Sequence, residues 1–422
     1  MFTGKSPVRR VLPVAALLAG ALSPVLAVPA DAGLVPHDRV VSTDPVATTP
    51  HVLDGIVNAF AVYGRTVVVG GSFSRVREAG SAAKLRRSNI FAFDLLTGRV
   101  DRHFSPRLDG AVSALAAGPD ATVYAGGSFY GPGRAMGLTR LRLADGAPVP
   151  GFAAPVRGGD VSTLVLAGPH LYVGGDFAAV GRSTRPALAR LDAATGAVDP
   201  AFTVTPGGGL GTLKVHAMAA YGRVLAVIGS FTTLDGLRRP QVGLIDVGAP
   251  KPAVTPWRTD AYAARCRDDF PYYVRGLDFS PDGRYFVVVT TGGAGGARKL
   301  CDSAARFETT ARDAARPTWV NHTGGDSLYS VAVTGAAVYV GGHQRWLDNP
   351  RGKDTAGPGA VARPGIGAID PVTGRALPWN PTRERGIGVK AFLVDKGGLL
   401  VGSDTTRLGH EYHARVGMFP LF

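Results

Sequence analysis

The sequence has few cysteines, and it has no long apolar segment beyond its N-terminus. Two cysteines, Cys266 and Cys301, occur in 422 residues, too few for a disulfide-rich scaffold or a cysteine-based metal cluster. The patterns G-x-S-x-G, H-E-x-x-H and the Walker loop are absent, so the commonest motif evidence for a hydrolase, a zinc protease or a nucleotide-binding enzyme is missing. After the N-terminal region no apolar run is long enough to cross a bilayer, and we expect no membrane span.

The N-terminal region is typical of an export signal. Lys5, Arg9 and Arg10 precede an apolar run, Val11–Leu26, and small residues before Ala30 offer a cleavage site. We therefore predict a signal peptide at 1–30, a short lead at 31–38 and a repeat domain at 39–422, secreted to the extracellular space or the cell wall. The Arg9-Arg10 pair keeps twin-arginine export open beside general secretion, and an uncleaved anchor is the alternative.

The chain is basic, with a formal net charge of +14. Such a charge is compatible with nucleic acid, an anionic cell wall or an acidic glycan. The cations are scattered and nearly all arginine, which is also what a GC-rich genome produces without selection for a partner. We therefore predict no nucleic-acid partner.

A repeated mark organises the chain. It reads Val-Gly-Gly in its best copies, and its second residue falls at Gly71, Gly127, Gly175, Gly229, Thr290, Gly342 and Ser403. Before each mark stands an apolar strand, and after it a third and a fourth strand, joined in four repeats by a turn with Asp at its start. The spacing, about 55 residues, is near that of propeller blades. The sequence predicts an all-β fold: a seven-bladed β-propeller of four-stranded antiparallel sheets.

The two chain ends predict how the ring closes. The last repeat ends at Ala414–Phe422, which matches a third strand and lacks a fourth, whereas Arg39–Pro45 resembles a fourth strand placed before the first repeat. Pairing of the termini in one blade protects the sheet edges. We therefore expect the N-terminal strand to complete blade seven.

The repeat resembles a known family. The frame V-x-A-L-x-x-x-G-x-x-L-Y-V-G-G-x-F, followed by R-x-x-x-A-L-A-R-L-D-x-x-T-G-x-V-D-P-x-F, is similar to the delta-sixty type β-propeller repeat of secreted bacterial proteins. The resemblance covers Val40 to Phe422 and is best in the third blade. It implies the fold and no particular activity. The fifth and seventh repeats depart from the pattern, because they lack Gly-Gly and the following Phe.

The repeated residues themselves have a structural interpretation. No helix is predicted after any Gly-Gly pair, so a dinucleotide-binding loop is not supported. We expect the glycines to pack closely against neighbouring sheets, and the Phe after each full mark to fill the space between them. We expect Asp94, Asp192, Asp246 and Asp370 to cap their own turns.

The polar residues that remain crowd one face of the last blades. The loop into each first strand and the loop between second and third strands emerge on the same side of an antiparallel sheet, and loops on a rigid scaffold commonly bind ligands. The candidate ligand-binding residues in these loops are His322, Asp326, His343, Arg345, Trp346, Arg383, Glu384, Arg385, Asp404, His410, Glu411, Tyr412 and His413. Cys266 and Cys301 emerge on that face too, so we predict one disulfide.

Three roles for this face remain open. The favoured one is binding of an extracellular polysaccharide or protein by a monomer, with Trp346 and Tyr412 as stacking platforms and arginines receiving anionic groups. The alternative is a polysaccharide hydrolase or lyase, in which Asp326, Glu384, Asp404 or Glu411 supplies acid–base chemistry or a His abstracts a proton. In the third, the loops only cover the ring. The spacing of His410, Glu411 and His413 matches no known metal motif, and we predict no metal or cofactor.

Overall fold

The structure is a computed structural model that describes residues 1–2, 35–131, 135–311 and 314–421. The predicted signal peptide, 1–30, lies outside these ranges except for its first two residues. The described residues form strands and turns but no helix, which confirms the all-β prediction. Within these ranges no helix is available that could cross a bilayer.

Seven antiparallel main sheets, numbered one to seven in chain order, account for most of the domain. Their first strands are Ile56–Tyr63, Val112–Gly118, Val161–Ala167, Val215–Tyr221, Val274–Phe279, Leu328–Val333 and Ala391–Asp395. Their second strands are Thr66–Ser72, Thr122–Gly131, His170–Gly175, Val224–Gly229, Tyr285–Thr290, Val338–Gly342 and Gly398–Gly402. Their third strands are Ile90–Asp94, Ala135–Arg142, Leu188–Asp192, Val242–Asp246, Ser303–Glu308, Ile366–Ile369 and Val416–Pro420.

The predicted fourth strand forms fully in two sheets. Ala253–Val254 completes sheet four and Trp319–His322 completes sheet five. In sheets one, two, three and six the fourth strand is reduced to a single bridge, such as Leu191↔Val198 in sheet three. The expectation of four strands throughout is therefore wrong in its detail, and the sheets have three or four strands.

Additional short strands extend one end of the sheets, where loops were expected. Hairpins form in the connection between second and third strands, and three of them gain a strand from the segment that leads into the first strand. These strands are His51–Val52, Arg75–Arg77 and Lys84–Arg86; Val156–Arg157, Ala179–Val180 and Ser183–Thr184; Pro206–Gly207, Thr233–Leu234 and Leu237–Arg238; Trp346–Leu347 and Val361–Ala362; Arg407–Leu408 and Glu411–Tyr412. The end of the sheets that carries them is called the hairpin face below.

Glycine and phenylalanine of the repeated mark pack between sheets. A Cβ on Gly126 would lie 2.5 Å from Cγ1 of Val161 in the next sheet, and a Cβ on Gly402 would lie 2.7 Å from Cγ1 of Val57. The phenylalanines that follow the mark are buried: Phe73, Phe129, Phe177 and Phe231. The packing role predicted for these residues is confirmed.

The turns between third and fourth strands are capped as expected. Asp94 accepts the backbone N–H of Thr97 at 2.8 Å, and Asp192 accepts that of Thr195 at the same distance. Gly196 closes its turn with φ of 77°, a conformation that favours glycine. The carboxylates of these aspartates therefore accept hydrogen bonds within their own turns.

Neighbouring sheets share hydrophobic cores. The buried side chains form clusters between successive sheets, and one cluster joins Val57 and Phe60 of sheet one to Leu400 and Met418 of sheet seven. The first strand of each sheet contacts that of the next, and the first strand of sheet seven contacts that of sheet one.

The segment before the first repeat lies beside the end of the chain. The N–H of Ser42 donates to the carbonyl of Pro420 at 2.8 Å, and the N–H of Val46 donates to that of Met418 at 2.9 Å.

Candidate functional site

All candidate residues except His322 fall into two groups on the hairpin face. The first group surrounds Asp326 and Asp404 and comes from the connections of sheets five, six and seven. The second consists of His410, Glu411 and Tyr412 on the last hairpin, Arg407–Tyr412, and of His413 directly after it. The two groups are joined by a bridge between Arg383 and Leu408.

Asp326 is the centre of the first group. Its side chain is 2% exposed, and Arg345 contacts both carboxylate oxygens, with Nε 2.8 Å from Oδ2 and Nη2 3.1 Å from Oδ1. Arg385 adds a contact of 2.7 Å to Oδ1. A carboxylate held by two guanidinium groups forms strong, charge-assisted hydrogen bonds, so Asp326 braces the loops.

Arg383 and Asp404 form a second buried pair. The Arg383 side chain is fully buried, and its Nη2 lies 3.1 Å from Oδ1 of Asp404. Burial alone would raise the pKa of Asp404, but N–H donors of Ile387 and Gly388 and the Arg383 guanidinium outweigh it, so the pKa lies below its ordinary value. Asp404 is therefore an anion that anchors the loop into sheet seven.

The remaining residues of the first group also form hydrogen bonds. His343 accepts the N–H of Ser327 through Nε2 at 3.2 Å, so Nδ1 carries the proton and faces the carbonyl of Ile387 at 3.3 Å. Burial lowers the pKa of His343 and favours the neutral ring. Glu384 is exposed, and its Oε2 accepts the N–H of Thr406 at 3.1 Å.

Trp346 is partly exposed on its hairpin. The guanidinium carbon of Arg345 lies 4.4 Å from the centroid of its ring, a cation–π contact. The same arginine therefore binds Asp326 and contacts the ring of Trp346.

The second group borders the N-terminal segment. Tyr412 is 46% exposed, and its ring lies 4.8 Å from the ring of His51 and 5.6 Å from the guanidinium carbon of Arg77. His413 is buried and contacts Glu411 at 3.3 Å. His410 is exposed, and its Nε2 lies 3.2 Å from the hydroxyl of Thr382.

His322 lies elsewhere. It was expected in the loop into sheet six, but it is the last residue of the strand Trp319–His322, and it pairs with Ser303. It is buried, and burial lowers the pKa of its ring. The strand continues past its predicted end because Asn321 and His322 pair with the third strand of sheet five.

The predicted disulfide is confirmed. Cys266 and Cys301 are bonded, with their Cα atoms 5.8 Å apart. The bond links the loop into sheet five to the connection between its second and third strands, the two positions that the repeat frame brought to one face.

The arrangement favours a rigid platform over an acid–base centre. Of the four carboxylates considered for catalysis, Asp326 and Asp404 are locked in ion pairs, and Glu384 and Glu411 are bonded to Thr406 and His413. Among the described residues no three metal-ligating side chains come close enough to hold an ion.

The sequence analysis missed one set of residues. In six main sheets the pairing of first and second strands shifts by one residue near the hairpin face, which is a β-bulge. The bulge residues are Asn58, Ser113, Ser162, His216, Arg275 and Tyr329, and Lys390 has the matching place before the first strand of sheet seven. The signal was present as the variable position of V-x-A-L, which is polar in every repeat.

Comparison with known proteins agrees with this architecture. The family model described as "Domain of unknown function (DUF5122) beta-propeller" matches residues 170–202. The WD40 repeats of RRP9 are similar in structure, with 13% identity, a TM-score of 0.54, and coverage of 90% of this chain and 100% of that one. The WD40 β-propeller domain of Doa1 has 11% identity, a TM-score of 0.50, and coverage of 88% and 95%. A comparison with curated proteins gives no match.

The chain is therefore a β-propeller protein, and the resemblance expected from its sequence is confirmed. The matched residues include the second and third strands of sheet three, the repeat that follows the pattern best.

Proposed function

We propose that residues 39–422 form a closed ring of seven blades, with the N-terminal segment as the outer strand of blade seven. Two observations support the ring. Sheets one and seven share a hydrophobic core like other neighbouring sheets, and Ser42 and Val46 donate hydrogen bonds to the third strand of sheet seven. We further propose that residues 1–30 are a signal peptide and 31–38 a short lead, and that the mature protein is exported and acts as a monomer.

We propose that the hairpin face of this ring binds an extracellular polysaccharide. The observation that carries the proposal is the bracing of the loops by Asp326 with Arg345 and Arg385, and by Arg383 with Asp404. These ion pairs hold the loops, and through Arg345 the ring of Trp346, in fixed positions, which lowers the entropy cost of binding. Trp346 and Tyr412 are amphipathic rings suited to stacking on sugars.

The test uses a glycan array with the mature protein, followed by affinity measurement for any glycan that binds. Tyr412→Ala should weaken binding at least tenfold. Tyr63→Ala is the matched control, because Tyr63 is 43% exposed in the turn between the first two strands of sheet one, at the opposite end of the sheets. It should leave the affinity unchanged.

Three results would contradict the proposal. Binding that responds equally to both substitutions would remove the hairpin face as the site. Binding of proteins but of no glycan would change the ligand class. Shortened or unsaturated products after incubation with the glycan would favour the hydrolase or lyase alternative.

A further inference from the structure

The seven polar residues at the start of the first strands are not explained by packing. Their side chains differ between two halves of the set. Sheets one to three carry the neutral residues Asn58, Ser113 and Ser162, whereas sheets four to seven carry His216, Arg275, Tyr329 and Lys390. In the proposed ring the first strands surround the axis, so these residues surround the mouth of the central channel on the hairpin face.

Two cations of this set stand near each other beside aromatic rings. Nζ of Lys390 lies 3.3 Å from the ring centroid of Tyr329, and the guanidinium carbon of Arg275 lies 5.7 Å from that of Tyr272. The Tyr272 ring stacks on His216 at 5.5 Å. In the described part of the chain, neither Arg275 nor Lys390 forms an ion pair with a carboxylate.

The local electrostatics compensate this positive charge only in part. The pKa of Lys390 is lowered to about 8, first by burial and then by the charge of Arg275, whereas the carboxylate of Asp404 acts in the opposite direction. Asp302 is the acid whose charge acts on Arg275, but burial raises its pKa to about 7, so it carries only part of a charge near neutrality. His216 is neutral, since burial and then Arg275 lower its pKa to about 3.

Two partly buried like charges that no carboxylate contacts directly are costly, and a bound anion would offset that cost. Tyr329 belongs to the sheet between those of Arg275 and Lys390; its ring contacts Lys390, and it is close enough to Arg275 to act on the pKa of that residue, so an anion bound beside Tyr329 would lie between the two cations. A carboxylate matches this geometry, because its two oxygens can each accept from one of them.

We propose that Arg275 and Lys390 bind the carboxylate of a uronic-acid residue in an acidic polysaccharide. Tyr329 would lie against the sugar ring, and the hydroxyl and amide groups of Asn58, Ser113 and Ser162 would meet sugar hydroxyls across the channel mouth. This neutral half favours a sugar over an acidic peptide, which has few hydroxyls to offer. The inference rests on the proposed ring and deepens the proposed function, because it names the ligand class and the residues that select it.

The experiment measures binding of hexagalacturonate to the mature protein by titration calorimetry. The fully methyl-esterified hexamer is the matched ligand without charge. We expect the acid form to bind at least tenfold more tightly than the ester. Lys390→Gln and Arg275→Gln should each weaken binding of the acid form at least tenfold, whereas Lys390→Arg should retain it.

The matched control variant is Lys396→Gln. Lys396 is exposed in the turn after the first strand of sheet seven, at the far end from the channel mouth, so it changes net charge equally and should not alter binding. Far-ultraviolet circular dichroism and melting of each variant separate loss of binding from loss of fold, and Lys390→Arg provides a second variant if Lys390→Gln does not fold.

Each remaining outcome would overturn the inference. Equal affinity for ester and acid, or for hexaglutamate and hexagalacturonate, would exclude a carboxylated sugar as the selected ligand. Unchanged affinity of Lys390→Gln would exclude the site. If another glycan binds in a manner that depends on Tyr412 and not on Lys390, the proposed function stands and this inference fails; if no glycan binds, both fail.

Discussion

Substitution of Val41 tests whether the N-terminal segment holds the ring together. Val41 is 3% exposed in the core between sheets six and seven, and its N–H donates to the hydroxyl of Tyr339 at 3.0 Å. Next to it, Ser42 accepts from the indole N–H of Trp379 at 2.9 Å and donates to Pro420. An aspartate at position 41 cannot remain in this core as an anion, so Val41→Asp should detach the segment.

The expected loss follows from the contacts that detachment removes. Burial of a valine contributes roughly 1.5–3 kcal/mol. The hydrogen bonds of this segment contribute about 1 kcal/mol each. The freed backbone regains conformational entropy, which offsets part of the loss, and we expect the free energy of unfolding to fall by about 3 kcal/mol. For a domain of this length that corresponds to a decrease in melting temperature of about 4 °C.

The assay is thermal unfolding of the mature protein followed by circular dichroism. Val372→Asp is the control, since Val372 is 77% exposed in a turn and should change stability by less than about 0.5 kcal/mol. A chain that begins at residue 51 should melt early, and a synthetic peptide of residues 35–50 should restore its melting temperature. Equal melting of Val41→Asp and wild type would refute closure by this segment.

Two further predictions concern sheet five. The Asp302→Asn variant should be more stable than the wild type at high pH. Burial raises the folded-state pKa of Asp302 to about 7, so the wild type loses stability as the pH rises from 4 to 7, whereas the variant does not. Urea unfolding at pH 5 and pH 8 should show that the free energy of unfolding of the variant, relative to the wild type, increases by up to about 3 kcal/mol at the higher pH. Replacement of Cys266 and Cys301 by serine should lower the free energy of unfolding by about 4 kcal/mol, because the bond spans 35 residues; two free thiols in unreduced, unfolded wild type would show that the bond does not form.

The repeat register was predictable from sequence because each mark is fixed by packing. Gly71, Gly175 and Gly342 face the start of their own first strands, and each predicted first strand is within a few residues of the observed one. The positions of the β-bulges could not be predicted, because the frame V-x-A-L reads as the uninterrupted alternation of a regular strand. The extra residue is visible only when the strand is paired.

The outer strands and hairpins depend on pairing that periodicity does not reveal. In sheet three, Pro200 follows Val198 by two residues and has no N–H to donate, so the fourth strand ends after one bridge. The hairpin strands are two or three residues long, too short for a repeat of apolar positions. The ion pairs of Asp326 were hidden for a different reason: Arg345 and Arg385 come from two connections that only the folded chain brings together.

The fifth repeat explains how the fold tolerates the loss of its own mark. Where sheets one, two, three, six and seven have the first glycine, sheet five has Val289, and the residue directly opposite is Gly276, whose added Cβ would lie 3.1 Å from Val289. The small residue has moved to the partner strand, so the pair occupies a similar volume. The missing Phe is replaced by bonding: the hydroxyl of Thr290 donates to the carbonyl of Leu300 at 2.6 Å and accepts the N–H of Ser303 at 2.9 Å.

Covalent and polar links therefore do in this connection what Phe packing does in sheets one to four. Cys301 follows Leu300 directly, so the disulfide and the Thr290 hydroxyl restrain the same stretch of chain. That stretch also contains Asp302, the acid whose negative charge acts on Arg275. Burial within this restrained connection raises the pKa of Asp302 to about 7, so its charge is only partial near neutrality. The departure of the fifth repeat from the common pattern thus lies beside the proposed site.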